Sequence, residues 1–286
     1  MSTPAASAPA EPARAERPRP GETGLALRPA HRRRASAAAF WEIVAHLARR
    51  ELDSKHQLTL FGWAWPLVRQ LAQLAVLVFV FSKVFDLGVE NFPVFVFIGL
   101  IAWSWFASGV GEAASSVSAK RHLVLQSRVP TAVVPIVSVA VPLVDVLIAL
   151  PVLVVMLAIG DELRATLLLC PLLIPVQALL MAGIAWASSA AAVFFRDVPN
   201  AVLLGLTLTF YLTPVFYGLR IVPSDYRWLL ELNPLATIIG TYRHLALGEP
   251  APEAWLIAVV AAGSVLVAGA GYLLFRRLEP RFADFQ

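Results

Sequence analysis

Only one cysteine, Cys170, occurs in the 286 residues. A single thiol excludes an internal disulfide and any cluster of thiolate metal ligands, and its place in the apolar run 167–175 makes it a packing residue. Charge is scarce too: 15% of the residues are Asp, Glu, Lys or Arg, 58% are hydrophobic, and the mean hydropathy is +0.72. A typical soluble domain carries about 25% charged residues, so the composition argues against that class. Several chemical signatures are missing. There is no Gly-x-x-x-x-Gly-Lys-Ser/Thr loop, and so no phosphate cradle of that kind for ATP. No His-Glu-x-x-His or Gly-x-Ser-x-Gly occurs, and the histidines (His31, His46, His56, His122, His244) are scattered. These absences weigh against an enzyme. They leave a passive or partner-driven pathway, with no cofactor or metal expected in this chain.

Long apolar runs are what the chain does have. Six of them, at 64–85, 92–111, 132–160, 165–195, 201–218 and 255–275, approach or exceed the roughly 20 residues needed to cross a bilayer as a helix. The expected fold class is an all-α membrane protein with six transmembrane helices. Lys and Arg set the orientation. With the N-terminus inside, the inner segments hold seventeen of the 23 basic residues. Counting only those near span ends still favours the inside, ten to five: Arg49, Arg50, Lys55, Lys120, Arg121, Arg128, Arg196, Arg276, Arg277 and Arg281 against Lys83, Arg164, Arg220, Arg227 and Arg243. Both termini are therefore expected in the cytoplasm. The pI of about 9.6 then reflects topogenic charge that attracts anionic headgroups, and no nucleic-acid partner is expected.

Four regions follow from these patterns. Residues 1–36, rich in Pro, Ala, Glu and Arg, cannot bury enough apolar area to fold and are expected to be a disordered tail; they lack the apolar core of a signal sequence. Residues 37–58 read as an amphipathic helix, with Trp41, Val44, Leu47, Ala48 and Leu52 on one stripe. It is expected in the membrane interface, the alternative being an ordinary packed helix. Residues 59–279 form the six-helix domain and 280–286 a cytoplasmic tail. Within 220–252, two apolar pieces too short to span are broken by Asn233-Pro234. They suggest either external re-entrant helices of a gate or a small external cap.

Polar groups inside apolar spans are costly unless they face protein or water. Arg69, Gln70, Gln73, Glu112, Asp145 and Gln177 are such groups; they would line a polar path or pair helix to helix, Asp145 with Arg69 for example. Thr207, Thr209, Tyr211 and Thr213 put hydroxyls through the fifth run, facing a wet channel or bonding to their own helix.

Several motifs taken together resemble the membrane subunits of ABC exporters for polysaccharide and polyol phosphate, the O-antigen, capsule and teichoic acid permeases. They are Arg49-Arg50-Glu51-Leu52 leading to Leu60-Phe61-Gly62-Trp63-Ala64-Trp65-Pro66; Val124 to Pro130; Asp145 in Leu143-Val144-Asp145; Phe194-Phe195-Arg196-Asp197-Val198; and Pro214-Val215-Phe216-Tyr217, Asn233-Pro234-Leu235 and Tyr242-Arg243. Thr213 stands where the family commonly has Ser. The resemblance covers residues from about 40 to the C-terminus, and it implies a homodimeric permease in the bacterial plasma (inner) membrane that exports a glycan, lipid-linked in the family pattern. Two separate ATPase subunits would bind the ATP and magnesium and dock on the cytosolic face. Their contacts would fall on the amphipathic helix and the loop 116–131, at Arg49, Arg50, Lys120, Arg121, His122 and Arg128. Sugars stack on aromatic rings, so Trp63, Trp65, Trp103, Trp105, Phe210, Tyr211 and Tyr217, with Arg69 and Asp145, are the expected translocation path. Trp228, Asn233, Pro234, Tyr242 and Arg243 are the expected external gate. Two alternatives are a permease of the same architecture for a drug or lipid, and an integral-membrane enzyme acting on a lipid-linked substrate.

Overall fold

In the computed structural model, residues 37–56, 62–83, 91–120, 130–218 and 221–282 are described, and every regular element among them is helical. The tail expected over 1–36, the loop residues Arg121, His122 and Arg128, and residues 283–286 lie outside the described residues.

The organising element is α3, Phe92–Ala119. Asn91 starts it from a left-handed conformation, with a proline in the first turn, where a missing N–H costs nothing. At 1.5 Å per residue its 28 residues reach about 42 Å, longer than the hydrocarbon core. The helix continues eight residues beyond the apolar run ending at 111. Apart from Glu112 that extension is made of Ala, Ser and Val, and Ala113, Ala114 and Val117 are fully buried in it. Over its best apolar window α3 is 78% buried, against 11% for the helix that precedes it.

Around α3 pack α2 (Trp65–Lys83), α4 (Val133–Ala140), α5 (Leu143–Ile159), α6 (Leu173–Phe194), α7 (Val198–Leu212) and α9 (Pro234–Leu247). α4 and α5 are one apolar span kinked at Val141-Pro142, since proline supplies no N–H to the ladder. α6 is entered through the 3-10 stretch Ala165–Leu172. Its other broad contact is with α10, Ala254–Leu278. Glycines permit that contact: a Cβ on Gly271 would fall 2.1 Å from the Gly183 carbonyl oxygen, and one on Gly183 2.4 Å from that of Val267. Small residues at a crossing let membrane helices approach backbone to backbone.

Among the described residues, five helical stretches are long and apolar enough to cross a membrane: Gly62–Ser82, Phe92–Ala119, Val133–Ile159, Ala165–Phe194 and Ala254–Arg281. The run at 201–218 behaves differently. Its helix is only the 15 residues of α7, about 22 Å long. It ends because Thr213 precedes Pro214 and is extended, as the proline ring requires of its neighbour. α8 (Ser224–Glu231) and α9 follow, both too short to cross.

α1, Ala37–His56, lies against α4. Val44 is 4% exposed and packs with Val133, Ile136, Val137 and Val141, flanked by Leu47, Ala48 and Leu52. Trp41, expected on the same stripe, is 61% exposed and meets Phe40 edge to face. After α10, Phe282 is buried against Phe275 and Phe194.

Candidate functional site

Two polar clusters lie toward opposite ends of α3. The first gathers three separate motifs. α9 begins at Asn233, whose side-chain oxygen accepts from the Leu235 N–H at 3.0 Å while Pro234 takes the first turn; Gly248 closes the helix at φ 74. Cap, proline and terminal glycine are local instructions that start and stop the helix. The Asn233 amide also donates to Thr213 Oγ1 at 2.8 Å, and Thr213 donates to the Thr209 carbonyl at 2.7 Å. The start of α9 is thereby tied to the end of α7.

Two and a half turns further along α9, Arg243 is 4% exposed. Its Nε donates to the Phe95 carbonyl at 3.1 Å, Nη1 to Pro214 at 2.6 Å and Nη2 to Val215 at 2.6 Å. Its Cζ stands 3.5 Å from the centroid of the Phe95 ring. A guanidinium removed from water needs other acceptors. Here two of the acceptors, Pro214 and Val215, are carbonyls just past the last turn of α7, where a helix presents its negative end, the third is the Phe95 carbonyl in the first turn of α3, and an aromatic face is added. Gly99 provides the room: a Cβ there would lie 2.6 Å from the Val215 oxygen and 2.8 Å from Arg243 Nη2.

The second cluster joins α1 to the far end of α3. Lys55 donates to both carboxylate oxygens of Glu112, at 2.7 and 2.6 Å, and Lys120 pairs with Glu51. Arg50 lines the crevice between these pairs, and Val134 and Val137 of α4 form its apolar wall. Nearby, Glu279 takes hydrogen bonds from Thr131 and, at 3.1 Å, from Arg276. Trp186 Nε1 donates to the Ala132 carbonyl at 2.9 Å.

Of the expected gate residues, Asn233, Pro234 and Arg243 converge in the first cluster, Tyr242 lines the neighbouring cavity, and Trp228 is exposed on α8. Of the expected ATPase contacts, Arg49 and Arg50 are exposed on α1 and Lys120 is held by Glu51. The expected path residues divide. Trp63, Trp65, Arg69 and Tyr211 are exposed on α2 and α7 or the turn before α2. Trp103 and Trp105 are buried in the core, the first against the Phe106 and Phe210 rings, the second donating to the Val139 carbonyl at 3.0 Å. Phe210 and Tyr217 are half-buried, and the Tyr217 hydroxyl donates to the Tyr211 carbonyl at 3.1 Å. Asp145 is half-buried in the first turn of α5. Sequence reasoning passed over Gly99 and Phe95, which carry no motif, and met Glu51 only as part of a motif, since its charge matters through a lysine far along the chain.

Comparison with known proteins follows the same motifs. A family model described as ABC-2 type transporter matches residues 44–247, from the buried stripe of α1 to the end of α9. The O-antigen export system permease protein RfbA of Myxococcus xanthus is 29% identical over 245 residues, spanning 85% of this chain and 94% of that protein. The protein of the same name from Klebsiella pneumoniae is 26% identical over 247 residues, spanning 86% and 95%.

Proposed function

Since the chain belongs to the ABC-2 type transporter family, we propose that it is the membrane subunit of an ATP-driven exporter that moves a polysaccharide of the O-antigen kind out of the cytoplasm. The observation that carries this reading is the extent of the match: it takes in the α1 cluster and the Arg243 cluster, and relatives similar along nearly their whole length are named O-antigen export permeases. Five helices able to cross a membrane, among the described residues, support a multi-pass protein. The energy source is a partner. An ATPase subunit carries the ATP and magnesium and closes on the cytosolic face, and this chain turns that closure into helix movement. Two copies of this chain form the conduit.

In this reading α7 and the non-helical residues 213–218 together make the sixth crossing. Irregular backbone at membrane depth survives only where its polar groups are satisfied, and Arg243 satisfies the Pro214 and Val215 carbonyls. α8 and α9 then dip in from outside and return as a gate. Both termini lie in the cytoplasm of a bacterium, bounded by its inner membrane, and residues 1–36 form a cytoplasmic tail ahead of the interface helix α1. The Lys55–Glu112 and Lys120–Glu51 pairs couple that helix to α3. Trp63, Trp65 and Tyr211, aromatic and exposed on α2, its leading turn and α7, stack on passing sugars.

Deleting the gene should remove the surface polysaccharide while its cytoplasmic precursor accumulates, and affinity-tagged protein should bring down an ATPase. Normal surface glycan in the deletion strain would overturn the reading.

A further inference from the structure

We propose that a cavity enclosed by α3, α5, the start of α6 and α9 binds a small membrane-dissolved hydrophobe bearing one hydroxyl. The proposal is independent of the exporter reading. The cavity measures about 200 Å³. Ile98, Ile101 and Leu153 supply apolar wall, and Leu150 and Val154, 36% and 40% exposed, form its rim. Those rim residues belong to the span Val133–Ile159, so the mouth opens toward lipid and an occupant enters sideways from the bilayer.

Gln177 makes this more than an oily crevice. It lines the cavity, its side chain is fully buried, and its Nε2 donates to the Ala102 carbonyl at 2.8 Å. That bond fixes the amide, because turning it over would set oxygen against oxygen. The Gln177 Oε1 is left without a hydrogen-bond partner. A buried polar group costs free energy until it is paired, and this one can only accept. Its ligand must therefore donate, which selects an alcohol over an alkane, ether or ester. Tyr242 and Cys170 also line the cavity. Cavities of roughly this size lined by aliphatic side chains stay dry and take up a compact apolar molecule. The occupant is thus one alcohol-bearing apolar group, far smaller than a glycan.

The test uses the full-length protein in lipid nanodiscs and two photoreactive probes, 3-azioctanol and its hydroxyl-free counterpart 3-azioctane, at equal mole fraction in the membrane. Peptides covering 146–154 and 167–177 should incorporate the alkanol about fivefold more than the alkane, the factor expected of one hydrogen bond. Excess 1-octanol should compete the label away. Gln177→Leu should bring the ratio of the two probes to about one, and Leu150→Trp, which changes only the rim, should block both. Equal incorporation of the two probes in the unsubstituted protein would overturn the proposal, showing an indifferent crevice or a water already held by Gln177. So would label spread over the exposed surface of α10 around Val265 and Leu266. Should Gln177→Leu fail to fold, retained alkanol preference in Leu150→Trp sinks the idea alone.

Discussion

The two ends of α3 hold their neighbours by opposite means. Near Phe95 a single cation, Arg243, is buried and bonded to three backbone carbonyls. Near Glu112 two lysines meet carboxylates at part-exposed positions, with the Lys55 and Glu112 side chains 37% and 39% exposed. The physics of the two differ in size and in kind. Removing the cation strands carbonyls that have no water to turn to, whereas the ion pairs trade against solvent and dissolved salt. One end is a fixture and the other a contact able to open and re-form. In a transporter driven from one face, the second is the end expected to move.

The largest effect should come from breaking the fixture. Arg243→Leu is expected to cost about 3–5 kcal/mol, read as a lower unfolding temperature of the purified protein in detergent and lower abundance in membranes. Arg243→Lys should recover little, since a point-like ammonium cannot reach three carbonyls in the geometry of a planar fork. Stability equal to the parent in Arg243→Leu would erase the contrast between the two ends.

Next comes the room the fixture needs. Gly99→Ala places a Cβ 2.6 Å from a carbonyl oxygen and should cost about 1–3 kcal/mol by overpacking. Gly263→Ala is the matched control, because nothing lies within 4 Å of its Cβ position; in mid-helix that change should stabilise by about 0.5–1 kcal/mol. A gain at 99 equal to the gain at 263 would mean that helix propensity, not crowding at the Arg243 contact, decides the outcome at 99.

Smaller again is the tie between α7 and α9. Asn233→Ala should lose about 1 kcal/mol as a missing cap, with a further loss because Thr213 keeps only one of its two bonds. Thr213→Ser should be close to neutral, since the hydroxyl makes both bonds and the methyl neither. Thr213→Val should resemble Asn233→Ala, and the two together should fall short of the sum, the mark of residues in contact.

What the sequence made legible follows the same division. Spans announce themselves by length, so an all-helical membrane protein was readable, as were Asn233-Pro234 as a helix start and the motifs that match the family. Acceptors were not. Arg243 bonds to backbone oxygens, which every residue has, so no pattern of side chains marks Phe95, Pro214 or Val215 as its partners. In sequence Trp103 and Trp105 looked no different from Trp63 and Trp65 as path aromatics, and only packing against Phe106, Phe210 and Val139 removes them to the core. The run at 201–218 is apolar apart from its hydroxyls, but hydropathy does not register that Pro214 stops the helix after 15 residues.

The smallest expected effect on stability is also the most informative about coupling. Glu51 and Lys55 stand four residues apart on α1, the spacing of a local bridge, yet each reaches away to the α3 side, to Lys120 and to Glu112. Lys120→Ala should cost at most about 1 kcal/mol, shrinking as salt is raised. Its effect on export separates two roles for the same lysine. If Lys120 works by holding α1, exchanging the partners as Glu51→Lys with Lys120→Glu restores the bridge and with it ATP-driven transport in reconstituted vesicles. If Lys120 instead touches the ATPase directly, the exchange leaves unfolding unchanged and transport still lost, because the charge facing the partner has been reversed. The measured pair of values, unfolding temperature and transport rate, thus decides whether the yielding end of α3 transmits the stroke through its own helix or receives it at the lysine.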